Sequence, residues 1–331
     1  MPAVDRNAAA LYRPRMAYRR VTVLGASGFI GRYVVKRLAA EGALVCAVGR
    51  HATDAGFLRP MGDVGQVAPI DADLTDDQAL AAVIAGADAV VNAVGILYER
   101  GRQSFEAIHH QLPRRLAAEA RAAGVKHLVH ISAIGADPQS PAAYGRSKAA
   151  GESALRAEFP AAVVLRPSIV FGPEDAFFNR FAALARLSPV LPLIGGGTTR
   201  FQPVYVCNVA DAVVAALDRP DAQGGLFELG GPEVASFRDL MQLLLRALRR
   251  RRLLVPLPYG LASFKAAFLE WLPVPPLTRD QVRMLQRDNV VSPGVPGLAE
   301  LGITPTALEL ILPTYLDKYR RGGRTLQPRL A

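Results

Sequence analysis

The chain has 331 residues, and its 39 Lys and Arg against 29 Asp and Glu give a formal net charge of +10. Half of the residues are hydrophobic, which is enough for a large core and excludes intrinsic disorder as the main state. The excess of positive charge leaves three candidate partners: nucleic acid, an anionic membrane surface and an acidic protein.

The basic residues are concentrated at both ends of the chain and in one internal run. Residues 1–19 predict a basic tail without the apolar stretch of a secretory signal, and this tail fits a mitochondrial presequence as well as a short bacterial extension. Residues 321–331 predict a second basic tail, and residues 249–252 are four consecutive arginines. No aromatic-interleaved RNA motif or DNA-reading helix pattern accompanies these runs, so nucleic acid is the least expected partner.

Residues 20–172 alternate between short apolar strands and Ala-rich helices. Near-continuous apolar strands separated by helices predict a parallel sheet covered on both faces, which is the doubly wound α/β arrangement. Beyond this domain prolines become frequent, so residues 173–320 are expected to form a smaller C-terminal lobe that is interleaved with the first domain. The predicted strands are 21–24, 43–48, 67–70, 89–91, 128–131 and 163–165, and the predicted helices are 30–40, 78–85, 113–123, 209–217, 237–248, 298–301 and 307–319.

The most apolar segment, residues 253–277, contains Lys265, Glu270 and five prolines. No window of the chain reaches the roughly 18 uninterrupted apolar residues of a membrane-spanning helix. This segment is therefore expected to lie on a surface and not to cross a bilayer.

A glycine-rich turn joins the first predicted strand to the first predicted helix, with glycines at Gly25, Gly28 and Gly31. Glycine is needed where the backbone turns sharply and approaches a pyrophosphate closely, and the following helix N-terminus supplies free N–H groups and positive potential. The strand before the turn and the helix after it favour a dinucleotide site over a simple tight turn.

The end of the second predicted strand indicates which dinucleotide is preferred. An acid there binds the ribose 2′-hydroxyl of NAD(H), whereas a basic residue suits the 2′-phosphate of NADP(H). This chain has Arg50 and no acid at that point, and a guanidinium can bind phosphate bidentately and stack on adenine. NADPH is therefore the expected cofactor, with NADH or NAD as the alternative. The competing interpretation of Arg50 is that its side chain faces solvent and binds no cofactor.

Polar and small residues follow three later strands and fit the same ligand. Asp73 and Leu74 come after the third strand, where they can flank the adenine. The small residues Ala93 and Gly95 come after the fourth strand, where the backbone can approach the ribose, and Ser132 ends the fifth strand. These positions predict one ligand along the carboxyl ends of the strands.

Tyr144 and Lys148 follow Ser132 and share one face of a predicted helix at i and i+4. A neighbouring ammonium is expected to lower the pKa of the phenol, so that Tyr144 can act as a general acid or base. Ser132 can then polarise a carbonyl that accepts or gives a hydride. A Tyr-x-x-x-Lys pair alone is common on helix surfaces, but its position after the glycine turn and a strand-ending serine predicts a functional site.

Together these motifs resemble the short-chain dehydrogenase/reductase superfamily, in its extended and atypical branches, over residues 20–320. The resemblance implies a doubly wound Rossmann fold with a C-terminal lobe. Five further stretches, in order across both lobes, are similar to the family of nucleotide-binding accessory subunits of respiratory complex I, the NADH:ubiquinone oxidoreductase. They are residues 58–66, 171–179, 202–206, 278–282 and 296–302.

This resemblance implies a tightly held NADPH with a structural role, and docking on the peripheral arm of the complex near its junction with the membrane arm. Catalytic relatives place an Asn before the fifth strand to complete a proton relay, whereas residues 107–113 contain none, so a vestigial catalytic set of Ser132, Tyr144 and Lys148 is expected. The implied cofactor contacts are Gly25, Ser27, Gly28, Phe29, Ile30, Gly31, Arg50, Asp73, Leu74, Ala93, Gly95, Ser132, Tyr144, Lys148 and Pro167.

The sequence supports two functions. The first is an accessory subunit of complex I with a structural or assembly role and no turnover of its own, peripheral on the cytoplasmic face of a bacterial inner membrane or on the matrix side of a mitochondrial one. The second is a soluble NAD(P)-dependent reductase, epimerase or dehydratase, in which Tyr144 exchanges the proton, Lys148 holds the ribose and Ser132 positions the substrate oxygen. A redox-sensing regulator is a third hypothesis without specific support in the sequence.

Other complex I subunits are the expected partners, and the basic, apolar segment 246–271 is a candidate contact for anionic lipid headgroups or neighbouring subunits. An ordinary amphipathic core helix and loop is the alternative for this segment. No metal site is expected, because the five histidines form no ligand constellation and Cys46 and Cys207 have no Cys or His partner at ligand spacing. A reducing compartment fits the two cysteines best.

Overall fold

The computed structural model describes residues 18–320, so most of the basic tail 1–19 and the whole tail 321–331 lie outside the described residues. The strands are β1 (Arg20–Leu24), β2 (Leu44–Gly49), β3 (Val67–Asp71), β4 (Ala89–Asn92), β5 (His127–Ile131), β6 (Val163–Pro167), β7 (Val170–Phe171), β8 (Val190–Ile194), β9 (Arg200–Phe201), β10 (Val204–Tyr205), β11 (Leu226–Leu229), β12 (Ala235–Ser236) and β13 (Leu253–Leu257). The α-helices are α1 (Phe29–Ala40), α2 (Asp77–Ile84), α3 (Leu112–Ala122), α4 (Ala143–Glu158), α5 (Phe177–Leu187), α6 (Val206–Asp218), α7 (Phe237–Ala247), α8 (Tyr259–Leu269), α9 (Arg279–Met284) and α10 (Leu308–Leu316).

Seven strands build one sheet in the order β11-β6-β5-β4-β1-β2-β3, and every neighbouring pair is parallel. The strand order reverses at β1, where Leu24 pairs with Val48 on one side and with Asn92 on the other. In doubly wound sheets a crevice opens at such a reversal, outside the carboxyl ends of the strands. The sheet therefore places a ligand site at the end of β1.

Helices cover both faces of this sheet. On one face α1 and α6 pack through the fully buried Val34 and Val213, and on the other α3 and α4 pack through Leu116 and Leu155. Strands that are buried on both faces are mostly apolar, and for this reason apolar runs that alternate with helical segments predict a covered parallel sheet. The predicted doubly wound α/β fold is confirmed.

The C-terminal lobe has an aromatic core of its own between α5, α7 and α10. Phe171, Phe178 and Phe237 are fully buried there, and the rings of Phe171 and Phe178 meet edge to face with centroids 6.4 Å apart. The chain reaches this lobe, returns to the sheet and leaves it again, since α6 packs on α1 and β11 pairs with β6. Both α6 and β11, which come after residue 172 in the chain, therefore pack with the sheet.

One predicted helix is not formed. Residues 298–301, predicted as a helix, form a turn, because Gly297 and Pro296 precede them and Gly302 follows with a φ of +75°. Residues 253–277, expected to lie on a surface, contain β13 and α8, and many of their apolar side chains are exposed. Within residues 18–320 no helix is long and apolar enough to cross a membrane.

Candidate functional site

The turn between β1 and α1 and the first turn of that helix each contain a position at which only glycine fits. Gly25 has a φ of +79°, and a Cβ on it would lie 3.0 Å from the carbonyl carbon of Ala93. A Cβ on Gly31 would lie 2.1 Å from the carbonyl oxygen of Gly25. The N–H groups of Gly25 and Ala26 donate to the Val48 carbonyl at 2.9 and 3.0 Å. The backbones of the turn, β2 and β4 therefore meet at one point.

The helix α1 begins at this turn with its positive end uncapped. Among the described residues, no side chain caps its N-terminus and no acid occupies its first turn. Phe29 and Ile30 open the helix after Gly28, and Ser27 lies in the turn, with its hydroxyl oxygen 3.1 Å from where a Cβ on Gly49 would be. Free N–H groups and the helix dipole attract phosphate at such an end. The geometry fits the pyrophosphate of a dinucleotide.

Arg50 lies at the carboxyl end of β2, in the same region as Arg102, which sequence reasoning missed. The guanidinium of Arg50 donates to the side chain of Gln103 when the Gln103 amide turns its oxygen towards it. Hydrogen bonds from Thr75 lower the pKa of the Asp73 carboxyl, and the charges of Arg102 and Arg50 lower it further. Arg50 and Arg102 thus lie in one locality with Asp73. No motif marks Arg102, because it lies in the loop after β4 and approaches Arg50 only through the fold.

The remaining residues predicted to flank the nucleotide lie at the same edge of the sheet. Leu74 packs against the apolar cluster beneath α2 and α3, and the carbonyl of Pro167 at the end of β6 accepts from the Ile134 N–H at 3.0 Å. A Cβ on Gly95 would lie 3.5 Å from Nζ of Lys148. The loop after β4 therefore touches the helix that carries the predicted catalytic pair.

Ser132 is buried, and its hydroxyl is committed to a carboxylate. The hydroxyl donates to Glu152, and Arg166 binds both oxygens of the same carboxylate, at 2.9 Å from Nε and 2.6 Å from Nη2. Arg166 also lies 3.5 Å from Glu228. The one proton of the Ser132 hydroxyl is used inside the protein, an arrangement that argues against the predicted role of polarising a substrate carbonyl.

Tyr144 and Lys148 lie on one face of α4, with Nζ 6.0 Å from the centre of the phenol ring. Nζ donates to the carbonyl of Ile131 at 3.2 Å. Burial lowers the pKa of Lys148 to about 8 and raises the pKa of Tyr144 to about 12. The expected lowering of the Tyr144 pKa by the ammonium is not found, because desolvation of the phenolate outweighs a charge at this distance.

The substitution Lys148→Met is expected to change how stability depends on pH. The folded pKa lies near 8, below the 10.5 of an ordinary lysine, so between these values the unfolded chain binds more protons. The free energy of unfolding of the wild type should therefore rise across this window relative to the variant, by at most about 3 kcal/mol. Urea denaturation as a function of pH measures this rise, with Lys126→Met at an exposed position as the control; parallel curves for wild type and Lys148→Met would contradict it.

His109 connects the loop after β4 to α4, and sequence reasoning missed this role. Its Nε2 accepts from the Ile96 N–H at 3.1 Å, so its proton lies on Nδ1, which donates to Ser147 Oγ at 2.9 Å. The Ser147 hydroxyl donates in turn to the Tyr144 carbonyl at 2.8 Å, and the ring of Phe105 stacks on the imidazole with centroids 5.3 Å apart. Burial lowers the pKa of His109 to about 2. A neutral imidazole therefore fixes the loop on the helix.

A segment of the C-terminal lobe, residues 278–289, runs across the carboxyl ends of β5 and β6, and we call it the closing segment. Asp280 caps α4 by accepting from the N–H of Tyr144 at 2.9 Å. At the other end of the segment, Asn289 Oδ1 accepts from the hydroxyl of Ser168 at 2.7 Å. The closing segment thus joins the lobe to the helix and to the strand that border the site.

No metal site accompanies this arrangement within the part of the chain that the structure describes. There, no three or more His, Cys, Asp or Glu residues converge on a point that could hold an ion. Cys46 and Cys207 are free thiols, and burial raises the pKa of each.

The parallel sheet, its glycine turn and the uncapped helix together define a dinucleotide-binding protein of the Rossmann type. The chain belongs to the NAD dependent epimerase/dehydratase family, whose family model matches residues 21–230.

Individual relatives place the similarity on both lobes. The chain is 37% identical to the mitochondrial "NADH dehydrogenase [ubiquinone] 1 alpha subcomplex subunit 9" of Arabidopsis thaliana, over 91% of this chain and 78% of that protein. It is 35% identical to the Mus musculus protein of the same name, over 90% of this chain and 80% of that protein. The solved Citrobacter sp. triphenylmethane reductase complexed with NADP(H) has a TM-score of 0.71 at 18% identity, covering 89% of this chain and 99% of that one, and thus shares its fold.

Proposed function

We propose that this chain is an NADPH-binding accessory subunit of respiratory complex I, in which the nucleotide stabilises the fold and is not turned over. The observation that carries the proposal is the similarity to the two alpha subcomplex subunit 9 proteins over 91% and 90% of the chain. This similarity includes the C-terminal lobe, whereas a likeness confined to the glycine turn would support nucleotide binding alone.

The geometry around Tyr144 supports a binding role without turnover. A pKa of about 12 keeps the phenol protonated at neutral pH, so it is a poor general base. The hydroxyl of Ser132 is occupied by Glu152. The alternative, a soluble reductase, epimerase or dehydratase, needs this hydroxyl to be free for a substrate.

The residues of the site supply the contacts that a bound dinucleotide needs. The glycine turn and the start of α1 would hold its pyrophosphate, and Lys148 and Tyr144 would hold its nicotinamide ribose. The nicotinamide would bring hydride chemistry, which this role does not use. Arg50 and Arg102 near Asp73 favour the 2′-phosphate of NADPH over the free hydroxyl of NADH.

The substitution Arg50→Ala is expected to weaken NADPH binding about 10- to 100-fold while NADH binding stays nearly unchanged. A charge-assisted contact to phosphate contributes about 1.5–3 kcal/mol, and NADH has no 2′-phosphate to lose it. Calorimetric titration with both nucleotides measures the two affinities. Arg59→Ala, at an exposed arginine that is not among the predicted cofactor contacts, is the matched control. Equal losses for the two nucleotides would refute the assignment of Arg50 to the 2′-phosphate.

The expected partners are the other subunits of complex I, with the protein peripheral on the cytoplasmic face of a bacterial inner membrane or on the matrix side of a mitochondrial one. Segment 246–271 supports a contact at the membrane surface, because it contains the arginine run and, further along the chain, Phe264, Phe268 and Trp271, which are 63%, 65% and 89% exposed. Exposed aromatic residues next to basic ones are typical of proteins that bind at a membrane interface.

Solubilisation of the native membranes in a mild detergent, followed by affinity purification of the tagged full-length chain, tests the proposal. We expect NADH:ubiquinone oxidoreductase subunits and NADH dehydrogenase activity to co-purify, with NADPH bound to the chain. A chain that purifies free of the complex, and whose NADPH is exchanged and consumed with a carbonyl substrate unless Tyr144 is replaced by Phe, would overturn it in favour of the reductase.

A further inference from the structure

Five arginines surround one open basin at the C-terminal end of α7, and we call it the arginine basin. Arg246 lies in the last turn of the helix, and Arg249, Arg250, Arg251 and Arg252 follow it. The basin has a volume of about 540 Å³, and no acidic residue of the described chain is among those that line it. Like charges around one concave surface repel each other and attract anions.

Backbone carbonyls hold two of these arginines in place. Nε of Arg252 donates to the carbonyl of Ala185 at 2.7 Å, and Nε of Arg250 donates to the carbonyl of Tyr319 at 3.0 Å. Arginine loses much side-chain entropy when it is immobilised by a ligand, and this loss is smaller when its stem is already fixed. The basin is therefore arranged for an anion before one binds.

Arg249 has a left-handed backbone, with a φ of 52°, and within residues 18–320 no other non-glycine residue has a positive φ. It lies just beyond the end of α7, where its N–H donates to the Arg246 carbonyl and the next N–H donates to the Leu245 carbonyl, both at 3.0 Å. Glycine is the preferred residue at this position, so arginine costs stability there. A strained residue that keeps a charged side chain in a basin of like charges is a pointer to a ligand.

Two exposed leucines lie close in the chain to residues that line or anchor the arginine basin. Leu253, next to Arg252 in the chain, is 68% exposed, and Leu187, two residues from the carbonyl that holds Arg252, is 82% exposed. The N–H of Leu253 donates to the Pro189 carbonyl at 3.0 Å, so this residue lies near the segment that contains Leu187. A free phosphate needs no apolar contact, whereas an amphiphile with an anionic head and apolar chains matches both the arginines and the leucines.

We propose that the arginine basin binds the headgroup of an anionic phospholipid with more than one phosphate, and that its acyl chains cover Leu187 and Leu253. This proposal rests on the peripheral membrane location proposed above and adds a defined lipid site to it. The segment around α8 would then lie at the same interface, while the nucleotide site stays independent of the lipid.

The test is flotation of the full chain, loaded with NADPH, on vesicles of phosphatidylcholine alone or with added cardiolipin, whose headgroup carries two phosphates. We expect tighter binding to the cardiolipin vesicles, reduced about fivefold by Arg251→Gln, since each basic residue near such a surface contributes about 1 kcal/mol. Arg59→Gln, with the same charge change elsewhere on the surface, should leave binding unchanged apart from a small general effect.

Arg249→Gly separates the ligand role from a structural one. Glycine relieves the left-handed strain, so the variant should have a higher Tm than the wild type and yet bind the cardiolipin vesicles more weakly. A purely structural role for Arg249 predicts a change in Tm without any loss of vesicle binding, and that result would overturn the proposal.

Two further experiments distinguish a lipid from other anionic ligands. Leu187→Ser with Leu253→Ser should weaken vesicle binding without weakening the binding of inorganic pyrophosphate; unchanged vesicle binding, with full competition by pyrophosphate, would indicate a free phosphate ligand and contradict a lipid. Normal vesicle binding of Arg251→Gln together with lost co-purification would indicate an acidic protein surface instead. If the lipid site fails while NADPH binding and co-purification persist, the proposed function stands alone.

Discussion

Replacing Gly31 by alanine should reduce the affinity for NADPH about 100-fold, because the loss of two charge-assisted hydrogen bonds to the pyrophosphate costs about 3 kcal/mol. The new Cβ would lie 2.1 Å from the carbonyl oxygen of Gly25 and 2.9 Å from Cα of Ala26, and both are backbone atoms that cannot rotate away. The start of α1 would have to move away from β1, and its N–H groups would leave the position of the pyrophosphate. Calorimetric titration with NADPH measures the loss.

The matched control for Gly31→Ala is Gly260→Ala in α8. A Cβ at Gly260 meets no atom within 4 Å, so this variant should bind NADPH as the wild type does. Circular dichroism of both variants shows whether the sheet domain has kept its fold. If folded Gly31→Ala bound NADPH within a few-fold of the wild type, the pyrophosphate would not lie on this turn.

The substitution Glu152→Ala should lower the free energy of unfolding by about 3 kcal/mol, because removing one member of a buried ion pair leaves the other without compensation. Arg166 would lose both of its bonds to the carboxylate and keep only Glu228, at 3.5 Å, while the hydroxyl of Ser132 would lose its acceptor. The side chain of Glu152 is only 7% exposed, so water cannot fully replace these bonds. Urea denaturation measures the change.

Two variants on the same helix serve as comparisons for Glu152→Ala. Glu158→Ala removes an acid that pairs with the exposed Arg121, and such surface pairs contribute about 0–1 kcal/mol. Glu152→Gln keeps an acceptor for Ser132 but removes the charge, so its cost should fall between those of the two alanine variants. A cost for Glu152→Ala no greater than for Glu158→Ala would show that the buried network adds nothing to stability.

Strands β1 to β6 could be predicted from their short apolar runs, including β3, which lies at the edge of the sheet and is largely exposed. The seventh strand, β11, was missed because Glu228 interrupts its short apolar run. The charge is tolerated there because Arg166 on β6 lies beside it and the N–H of Ser292 donates to the same carboxylate at 2.7 Å. That pairing is a property of the assembled sheet and leaves no pattern in the local sequence.

The residues of the candidate site also differ in how far the sequence predicts them. The glycine turn and the placement of Tyr144 and Lys148 on one helix face depend on near neighbours in the chain, and so they were predictable. The contributions of Arg102, His109 and Asp280 arise from contacts between segments distant in sequence. The pKa of Tyr144 shifted opposite to the expected direction for a related reason, because burial is set by the whole fold.

The pairing of β11 with β6 also has a consequence for biosynthesis. A chain made from its N-terminus completes β6 well before β11 is available, so the growing sheet has an unprotected edge during that interval. The nucleotide turn, which uses only β1, β2 and β4, can form earlier. Since a ligand that binds only folded chain stabilises it by mass action, we expect NADPH to act as a folding partner of the nascent protein. Its supply during translation would then set how much chain escapes aggregation and proteolysis.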